Sequence, residues 1–564
     1  MTADPAFDAL ADPVRREILA VLAACDECSA GALAEQIISV GRTAVSTPVQ
    51  ETTRRGVPSV FDLARVLDHH VARHPDREVL VQGEHRIPAA GLRARVDAVA
   101  SGLAALGVQR GEVVALLLYN HVEFLETVLA AGRLGAVVLP LNYRLAPDEW
   151  RYILDNAGTV VIVTEDEFRE RVDTLAPRLP TLRHKVLLGA DAPGGWTAFE
   201  TLAADGAAAA PVPAGIVDDQ DVLARLMYTS GTTSRPKGVR ITHGNVAWKN
   251  LGLIVELGLT ADDTVLVCGP LYHCGGLDLP GLAAFHMGAR LVLLRSFDAV
   301  GVLDAIEQEK VSVVWLAPAM MNAVLQVPDL ADRDTSSVRC IIGGGEKMPE
   351  PVVRRILEAF PNTWFADAYG LTETVSGDTF LDREHSLSKI GSVGRPIPHV
   401  AVRIVDEQGA DVATGEVGEI ALRGPKVFGG YWRDEEATAR AIRDGWFHTG
   451  DVGRLDADGF LYVEDRLKDM IISGGENIAT PEVERVLYEH PAVLEAAVVG
   501  MPHERWGEVP RAIVVLRPGE QADPEAIRAF CRERLAKFKV PVAVDFLDEL
   551  PRTPSGKVLK RELR

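Results

Sequence analysis

Cysteine is scarce, with six residues in 564. That density excludes a scaffold held together by disulfides and makes a reducing cytoplasm the expected compartment. Long apolar runs are missing as well. A membrane-spanning helix needs about 20 consecutive apolar residues. The most apolar stretch, Val113 to Leu141, is broken by Asn120, Glu123, Glu126 and Arg133, so no membrane span is expected. Asp4, Asp8 and Asp12 stand where a secretory leader would carry basic residues followed by an apolar core. Net positive charge is also lacking, because 59 Lys and Arg oppose 80 Asp and Glu, for a formal charge of -21. Contact along a nucleic-acid backbone needs clustered Lys and Arg, so nucleic-acid binding by the chain as a whole is not expected. A small anion held by local dipoles stays compatible with this charge.

What is present is the composition of a globular protein, 47% hydrophobic and 25% charged, and the length allows about three or four domains. Residues 1–58 differ from the rest. Phe7 to Leu22 has apolar residues at helical spacing, with Asp12 and Pro13 placed as N-cap and first helical residue. A second short helix is expected from Ser29 to Ile37, and a third opens near Gly41. Cys25-Asp-Glu-Cys28 lacks a second ligand pair nearby and reads as two incidental thiols at a helix end.

From Ser59 to about Arg466 strand and helix signals alternate. Val113 to Leu118 is an apolar run of strand length, Glu123 to Leu134 a helix, and Ala136 to Leu139 a strand again, which makes a βαβ unit of a buried, mostly parallel sheet. Strand signals recur at 264–267, 290–294, 311–316 and 338–342. Residues 176–220, rich in Ala, Pro and Asp, read as a surface connection. After Asp465 the pattern becomes that of a small α+β unit, with helices expected at 481–488 and 524–535 and strands at 494–499 and 512–516.

Six segments carry chemistry. Tyr228-Thr-Ser-Gly-Thr-Thr-Ser-Arg-Pro-Lys-Gly-Val239 packs two glycines, five Ser and Thr hydroxyls and one lysine into twelve residues after the short apolar stretch Leu223 to Met227. Glycine permits close backbone approach, and hydroxyls with backbone N–H groups can cradle phosphate oxygens. Lys237 adds a mobile point charge. The spacing is not that of a Walker A loop. Gly343-Gly-Gly-Glu-Lys347 follows an apolar strand. Ala368-Tyr-Gly-Leu-Thr-Glu-Thr374 offers an aromatic face, hydroxyls and one carboxylate. Trp446 to Asp451 ends in an acid able to accept hydrogen bonds from sugar hydroxyls. Asp465 to Asn477 contains a Gly pair, and Pro551-Arg-Thr-Pro-Ser-Gly-Lys557 sets a lysine on a Pro- and Gly-bracketed loop.

In this order, from about Ser59 to the end, the segments resemble the AMP-forming adenylating superfamily of acyl-CoA synthetases, luciferases and peptide-synthetase adenylation domains, with a texture closest to fatty-acyl or aryl-CoA ligases. The resemblance implies an α/β fold: a large body of mixed and parallel sheets with helices over 59–467, a small mobile α+β lid over 468–564, and a short helical appendage over 1–58. It implies ATP, Mg²⁺ and coenzyme A as cofactors and co-substrates, and a small-molecule acid as substrate. Thr229, Ser230, Gly231, Thr232 and Thr233 would hold the β- and γ-phosphates, with Lys237 near the leaving pyrophosphate. Tyr369 and Gly370, with Gly344, Gly345 and Glu346, would form the adenine pocket. Thr372 would bond the α-phosphate and Glu373 would ligate Mg²⁺. Asp451 would hold the ribose hydroxyls, and Arg466 would also contact ATP. Lys557 would bridge the substrate carboxylate and the α-phosphate. Lys468 takes the hinge position, and Gly474 and Gly475 would face the CoA arm after the lid rotates. Ser234 departs from the pattern, which usually has Gly there; a left-handed backbone at that position would cost Ser about 1 kcal/mol.

The implied roles make electrostatic sense. Attack of a carboxylate on the α-phosphate brings two anions together, and a Mg²⁺ ion with an inserted lysine neutralises the developing charge. The thiol must then reach the acyl carbon where Lys557 stood, so one site is rebuilt between half-reactions by hinge rotation. Pro270-Leu-Tyr-His-Cys-Gly-Gly-Leu277 matches the segment that flanks the acyl pocket. His273 stands where CoA ligases often carry an aromatic gate, and amino-acid-activating domains usually have an Asp there. Gly275 and Gly276 are expected to leave room for a chain or ring.

Alternatives remain at this stage: an adenylating enzyme that uses a carrier protein, an amine or another acceptor, or one that activates a different oxyacid. A homodimer is also open. Ala9-Leu-Ala-Asp-Pro13, with Arg15-Arg16 and Ile18-Leu19, resembles the helical part of ArsR-type winged helix-turn-helix regulators, which raises a ligand-sensing DNA-binding regulator as a further alternative. Against it, Pro48 falls within the would-be recognition helix, no wing hairpin follows, and five arginines face eight acids over residues 1–58.

Overall fold

The computed structural model describes residues 62–212, 219–229, 236–345, 348–466, 469–473, 476–503, 506–552 and 558–564. All lie in the unit Ser59–Arg564. The helical appendage expected at 1–58 and its helix-turn-helix resemblance fall outside the described residues.

The expected βαβ unit is present. Val113–Leu117 is buried at every position because a parallel sheet is covered on both faces. The chain leaves through the helix Val122–Leu134, which ends at Gly135 in the left-handed region with φ of 64°. It returns as Val137–Pro140, paired in parallel with Val113–Leu117, Val113 opposite Val137. These strands form the centre of a seven-stranded sheet whose last two strands, Leu223–Thr229 and Lys237–Thr242, run antiparallel to each other.

A nine-stranded sheet places Val313–Trp315, Cys340–Gly344 and Trp364–Tyr369 side by side in parallel. Their C-terminal ends therefore lie together, the edge at which open α/β sheets bind ligands. A five-stranded antiparallel sheet includes Gly418–Arg423, Trp446–Leu455 and Leu461–Arg466. A fourth sheet, from Ile471–Ser473 to Ala543–Phe546, carries the helices Thr480–Tyr488 and Pro524–Arg532 and closes its own apolar core around Ile478, Val498 and Ile527. The architecture is thus α/β with a large body and a smaller C-terminal part. Among the described residues, no helix is long and apolar enough to cross a membrane.

The segment 176–220 corrects the sequence-based expectation of a surface connection. It supplies the strands His184–Leu187 and Thr197–Ala198 to the seven-stranded sheet and a helix, Phe199–Ala208, that packs on Ala89–Ala105. The two helices approach so closely that a Cβ on Gly206 would sit 1.9 Å from the Ala98 carbonyl oxygen. Small residues make this contact possible, and the same small residues erase the apolar contrast by which an amphipathic helix is recognised.

Candidate active site

Thr229 and Lys237 face each other at the open end of the antiparallel pair in the seven-stranded sheet. They fix the two ends of the hydroxyl-rich loop. Ser230, Gly231, Thr232 and Thr233, with the Ser234 departure, lie outside the described residues. The strand that starts at Lys237 leads into the helix His243–Leu257, capped by Thr242, whose hydroxyl accepts from the Asn245 N–H. The Asn245 amide donates to the carbonyls of Pro425 and Val427. The start of the helix that follows the strand Lys237–Thr242 is thereby tied to the segment 425–432.

The strand Trp364–Tyr369 delivers the second group of candidates. Gly370 follows it, and Thr372, Glu373 and Thr374 form one tight turn. Val375, Ser376 and Gly377 then adopt left-handed backbone with φ of 56°, 67° and 65°. For Val and Ser that costs about 1–2 kcal/mol each. The turn is held by Lys426, whose buried ammonium donates to the carbonyl oxygens of Ser376 and Gly377, both at 2.9 Å, and to the Asp378 carboxylate at 2.6 Å. The Thr374 hydroxyl donates to the other Asp378 oxygen. Burial pushes the Asp378 carboxyl up and the Lys426 ammonium down, and each partner's charge opposes the shift of the other.

Tyr369, at the end of its strand, donates its hydroxyl to Asp451 Oδ2 at 2.8 Å across 82 residues of sequence. Burial first, and then the neighbouring Asp451 charge, push the Tyr369 hydroxyl well above its usual range, so it remains a donor. Arg466 stands opposite Asp451 in the ladder between Trp446–Leu455 and Leu461–Arg466. Gly344 ends the strand next to Trp364–Tyr369, paired with Ala368, and Gly345 follows it. Glu346 lies outside the described residues.

His273 caps the short helix Cys274–Leu277, its Nδ1 accepting from the Gly275 N–H at 3.0 Å. Cys274 Sγ lies 3.9 Å from the Thr372 hydroxyl, so the segment 270–277 abuts the Thr372 turn. The expectation that Gly275 and Gly276 open space for substrate is corrected. A Cβ on Gly275 would meet the Trp315 indole at 2.6 Å, and one on Gly276 would meet the Pro270 carbonyl oxygen at 2.3 Å. Both glycines are needed for close packing. The planar wall beside them is made by His273 and Trp315, stacked with ring centroids 6.2 Å apart. Behind this segment Asp278 is fully buried with Arg225 at 2.7 Å, and Lys249 donates to its carbonyl oxygen at 2.9 Å. Burial pushes the Lys249 ammonium down to about 8, against the opposing pull of the Asp278 charge.

Sequence reasoning missed Tyr431, Trp315 and Lys426. The Tyr431 hydroxyl donates to Glu373 Oε1 at 2.9 Å, and the Lys237 ammonium lies 5.0 Å from the centroid of the same ring. Its neighbours offered one signal, the Gly429-Gly430 pair before two aromatics. Lys557, Lys468, Gly474 and Gly475 lie outside the described residues.

Among the described residues no group of three or more His, Cys, Asp or Glu could hold a metal ion. Glu373, buried at the Thr372 turn, supplies one carboxylate. Magnesium bound together with a nucleotide commonly uses one or two carboxylates plus phosphates and waters, so this donor set suits an ion that arrives with its phosphates.

Residues 67–432 match the family model described as AMP-binding enzyme, and residues 482–557 match that described as AMP-binding enzyme C-terminal domain. Feruloyl-CoA synthase of Amycolatopsis sp is 43% identical over 494 residues, covering 87% of this chain and 96% of that protein. The crystal structure of an anthranilate CoA ligase in complex with anthranoyl-AMP aligns with a TM-score of 0.84 at 27% identity, covering 90% of this chain and 97% of that one. O-succinylbenzoate coenzyme A synthetase from Bacillus subtilis, in complex with ATP and magnesium ion, aligns with a TM-score of 0.77 at 33% identity, covering 88% and 98%.

Proposed function

Because the chain belongs to the AMP-binding enzyme family, we propose that it adenylates an aromatic carboxylic acid with ATP and transfers the acyl group to coenzyme A. The observation that carries this reading is an unbroken line of contacts. Lys237 lies over the Tyr431 ring, Tyr431 bonds Glu373, Glu373 shares a turn with Thr372, and Thr372 touches Cys274 of the acyl-flanking segment. A phosphate-side cation, a carboxylate and an acid-side wall thus adjoin without a gap. The aromatic preference draws on the His273–Trp315 wall and on the aryl acids named in the three similar proteins.

In the first half-reaction a substrate carboxylate oxygen attacks the α-phosphorus, a new P–O bond forms, and the bond to pyrophosphate breaks. Lys237 stabilises the leaving pyrophosphate, Thr372 donates to the α-phosphate, and Tyr369 with Asp451 orients the nucleoside. Glu373 would hold the Mg²⁺ that accompanies ATP and spreads charge over its phosphates. Lys557 would bridge the two anions that must meet. In the second half-reaction the CoA sulfur attacks the acyl carbon, the C–S bond forms, the C–O bond to AMP breaks, and the thiol proton passes to solvent. Rotation of a C-terminal lid about Lys468 would withdraw Lys557 and bring Gly474 and Gly475 to the CoA arm.

A panel of aryl, arylalkanoic and fatty acids, with ATP and with or without CoA, tests the reading through pyrophosphate release and thioester formation. Aryl acids should give both. Pyrophosphate without thioester would move the acceptor to a carrier protein or an amine, and no ATP consumption with any acid would end the proposal. Lys557→Ala should abolish adenylation while leaving thioester formation from supplied acyl-adenylate largely intact. Equal loss of both half-reactions would refute the exchange of one lysine for one thiol.

A further inference from the structure

We propose that Tyr431 is a positioning residue that couples the two charge-handling groups of the nucleotide site, its hydroxyl aiming the Glu373 carboxylate and its ring face seating the Lys237 ammonium. The inference rests on the adenylation reading above and extends it to a residue outside the six chemical segments.

Tyr431 sits where three chain segments cross. Its main chain bridges to Val239, and the next residue, Trp432, donates its N–H to the Gly238 carbonyl at 2.7 Å, so the segment is stitched to the strand that begins with Lys237. On the other side Phe428 donates its N–H to the Glu373 carbonyl at 2.8 Å, while the Tyr431 hydroxyl takes the Glu373 side chain. Glu373 is therefore gripped at both backbone and carboxylate by residues 428–431. The ring is fixed edge-to-face against Phe428, with centroids 4.9 Å apart at 71°.

The two contacts use different parts of one side chain. The hydroxyl gives Glu373 a charge-assisted hydrogen bond that fixes where a metal-ligating oxygen points. The ring face attracts the Lys237 ammonium through its quadrupole and keeps that flexible side chain on the phosphate side. The hydroxyl should therefore govern how much Mg²⁺ improves ATP binding, and the ring should govern the grip on ATP itself.

The experiment measures equilibrium binding of ATP to the full chain by calorimetry, once with excess Mg²⁺ and once with EDTA, in wild type, Tyr431→Phe, Tyr431→Leu and Glu373→Gln. In Tyr431→Phe the ratio of MgATP to metal-free ATP affinity should fall about tenfold, the loss expected for one charge-assisted hydrogen bond, while metal-free affinity stays within twofold. Tyr431→Leu should show the same fall in the ratio and weaken metal-free ATP severalfold as well. Glu373→Gln reads the same link from its other end. It should lower the ratio with metal-free affinity retained, and Tyr431→Phe added to it should lower the ratio no further. A wild-type ratio in Tyr431→Phe, equal weakening of both ligands in that variant, or additive losses in the double variant would overturn the proposal. A wild type whose ATP binding does not depend on Mg²⁺ would overturn it too, whereas ATP left unconsumed with every acid is the separate result that sinks the adenylation reading.

Discussion

Replacing Lys426 by methionine keeps the aliphatic stem and removes one buried charge. The ammonium is 1% exposed as a residue and holds three oxygens, those of Ser376, Gly377 and Asp378. Its loss leaves the Asp378 carboxylate, itself fully buried, with only the Thr374 hydroxyl of the two side-chain partners described above. Breaking a buried pair from one side costs about 3–5 kcal/mol. The turn it holds also contains Val375 and Ser376 in left-handed backbone, at about 1–2 kcal/mol each. The lost contacts are therefore comparable to or larger than the strain they offset, and the turn should open locally. Hydrogen exchange of a peptide spanning 369–378 reads that opening without assuming that the whole chain unfolds in one step. The amides of Val375, Ser376 and Asp378 are bonded to the carbonyls of Thr372, Leu371 and Tyr369, so each reports on the turn. Their protection should fall more than a hundredfold in Lys426→Met, and the KM for MgATP should rise because Thr372 and Glu373 share the turn. Adding Asp378→Leu removes the stranded charge and should restore more than half of the protection. A change under tenfold, or equal acceleration in every peptide of the protein, would refute the assignment of Lys426 to this turn.

Two further outcomes follow from burial and from packing. His243 is 6% exposed and burial pushes its imidazole down to about 4. Between about pH 6.5 and 4 the unfolded chain takes up a proton that the folded site refuses, so acidification through this window favours unfolding, by about 3 kcal/mol at its lower end. His243→Asn should flatten the fall of thermal midpoint with pH, and an unchanged slope would show that other groups carry it. Gly275→Ala would set a methyl 2.6 Å from the Trp315 indole; it should destabilise by about 1–3 kcal/mol and raise the KM for the acid while the KM for ATP stays within twofold, whereas equal rises in both would detach Trp315 from the acid side of the site.

Residue order alone made the parallel-sheet alternation readable, because burial on both faces writes itself as short continuous apolar runs. The strand Thr264–Val267 came out with its exact limits, the strands Val113–Leu117 and Val137–Pro140 within a few residues, and, outside the parallel sheets, the helix Pro524–Arg532 likewise from its period of about 3.6 residues. Segments rich in Gly, hydroxyls and single charges announced the chemistry for the same reason: their composition is local. Side-chain partnerships across distance left no such trace. Tyr431 meets Glu373 from 58 residues away and Lys426 meets Asp378 from 48; the Gly429-Gly430 pair marks the tyrosine's neighbourhood but not its partner, and nothing local marks the lysine. The helix Phe199–Ala208 stayed hidden because its close contact needs Ala and Gly, which carry no amphipathic signal. The same ambiguity covered Gly275, where an absent side chain reads equally well as room for a ligand or as room for Trp315. Composition and period can name the groups a site will use; which of them touch is settled by packing between strands and turns far apart in the chain.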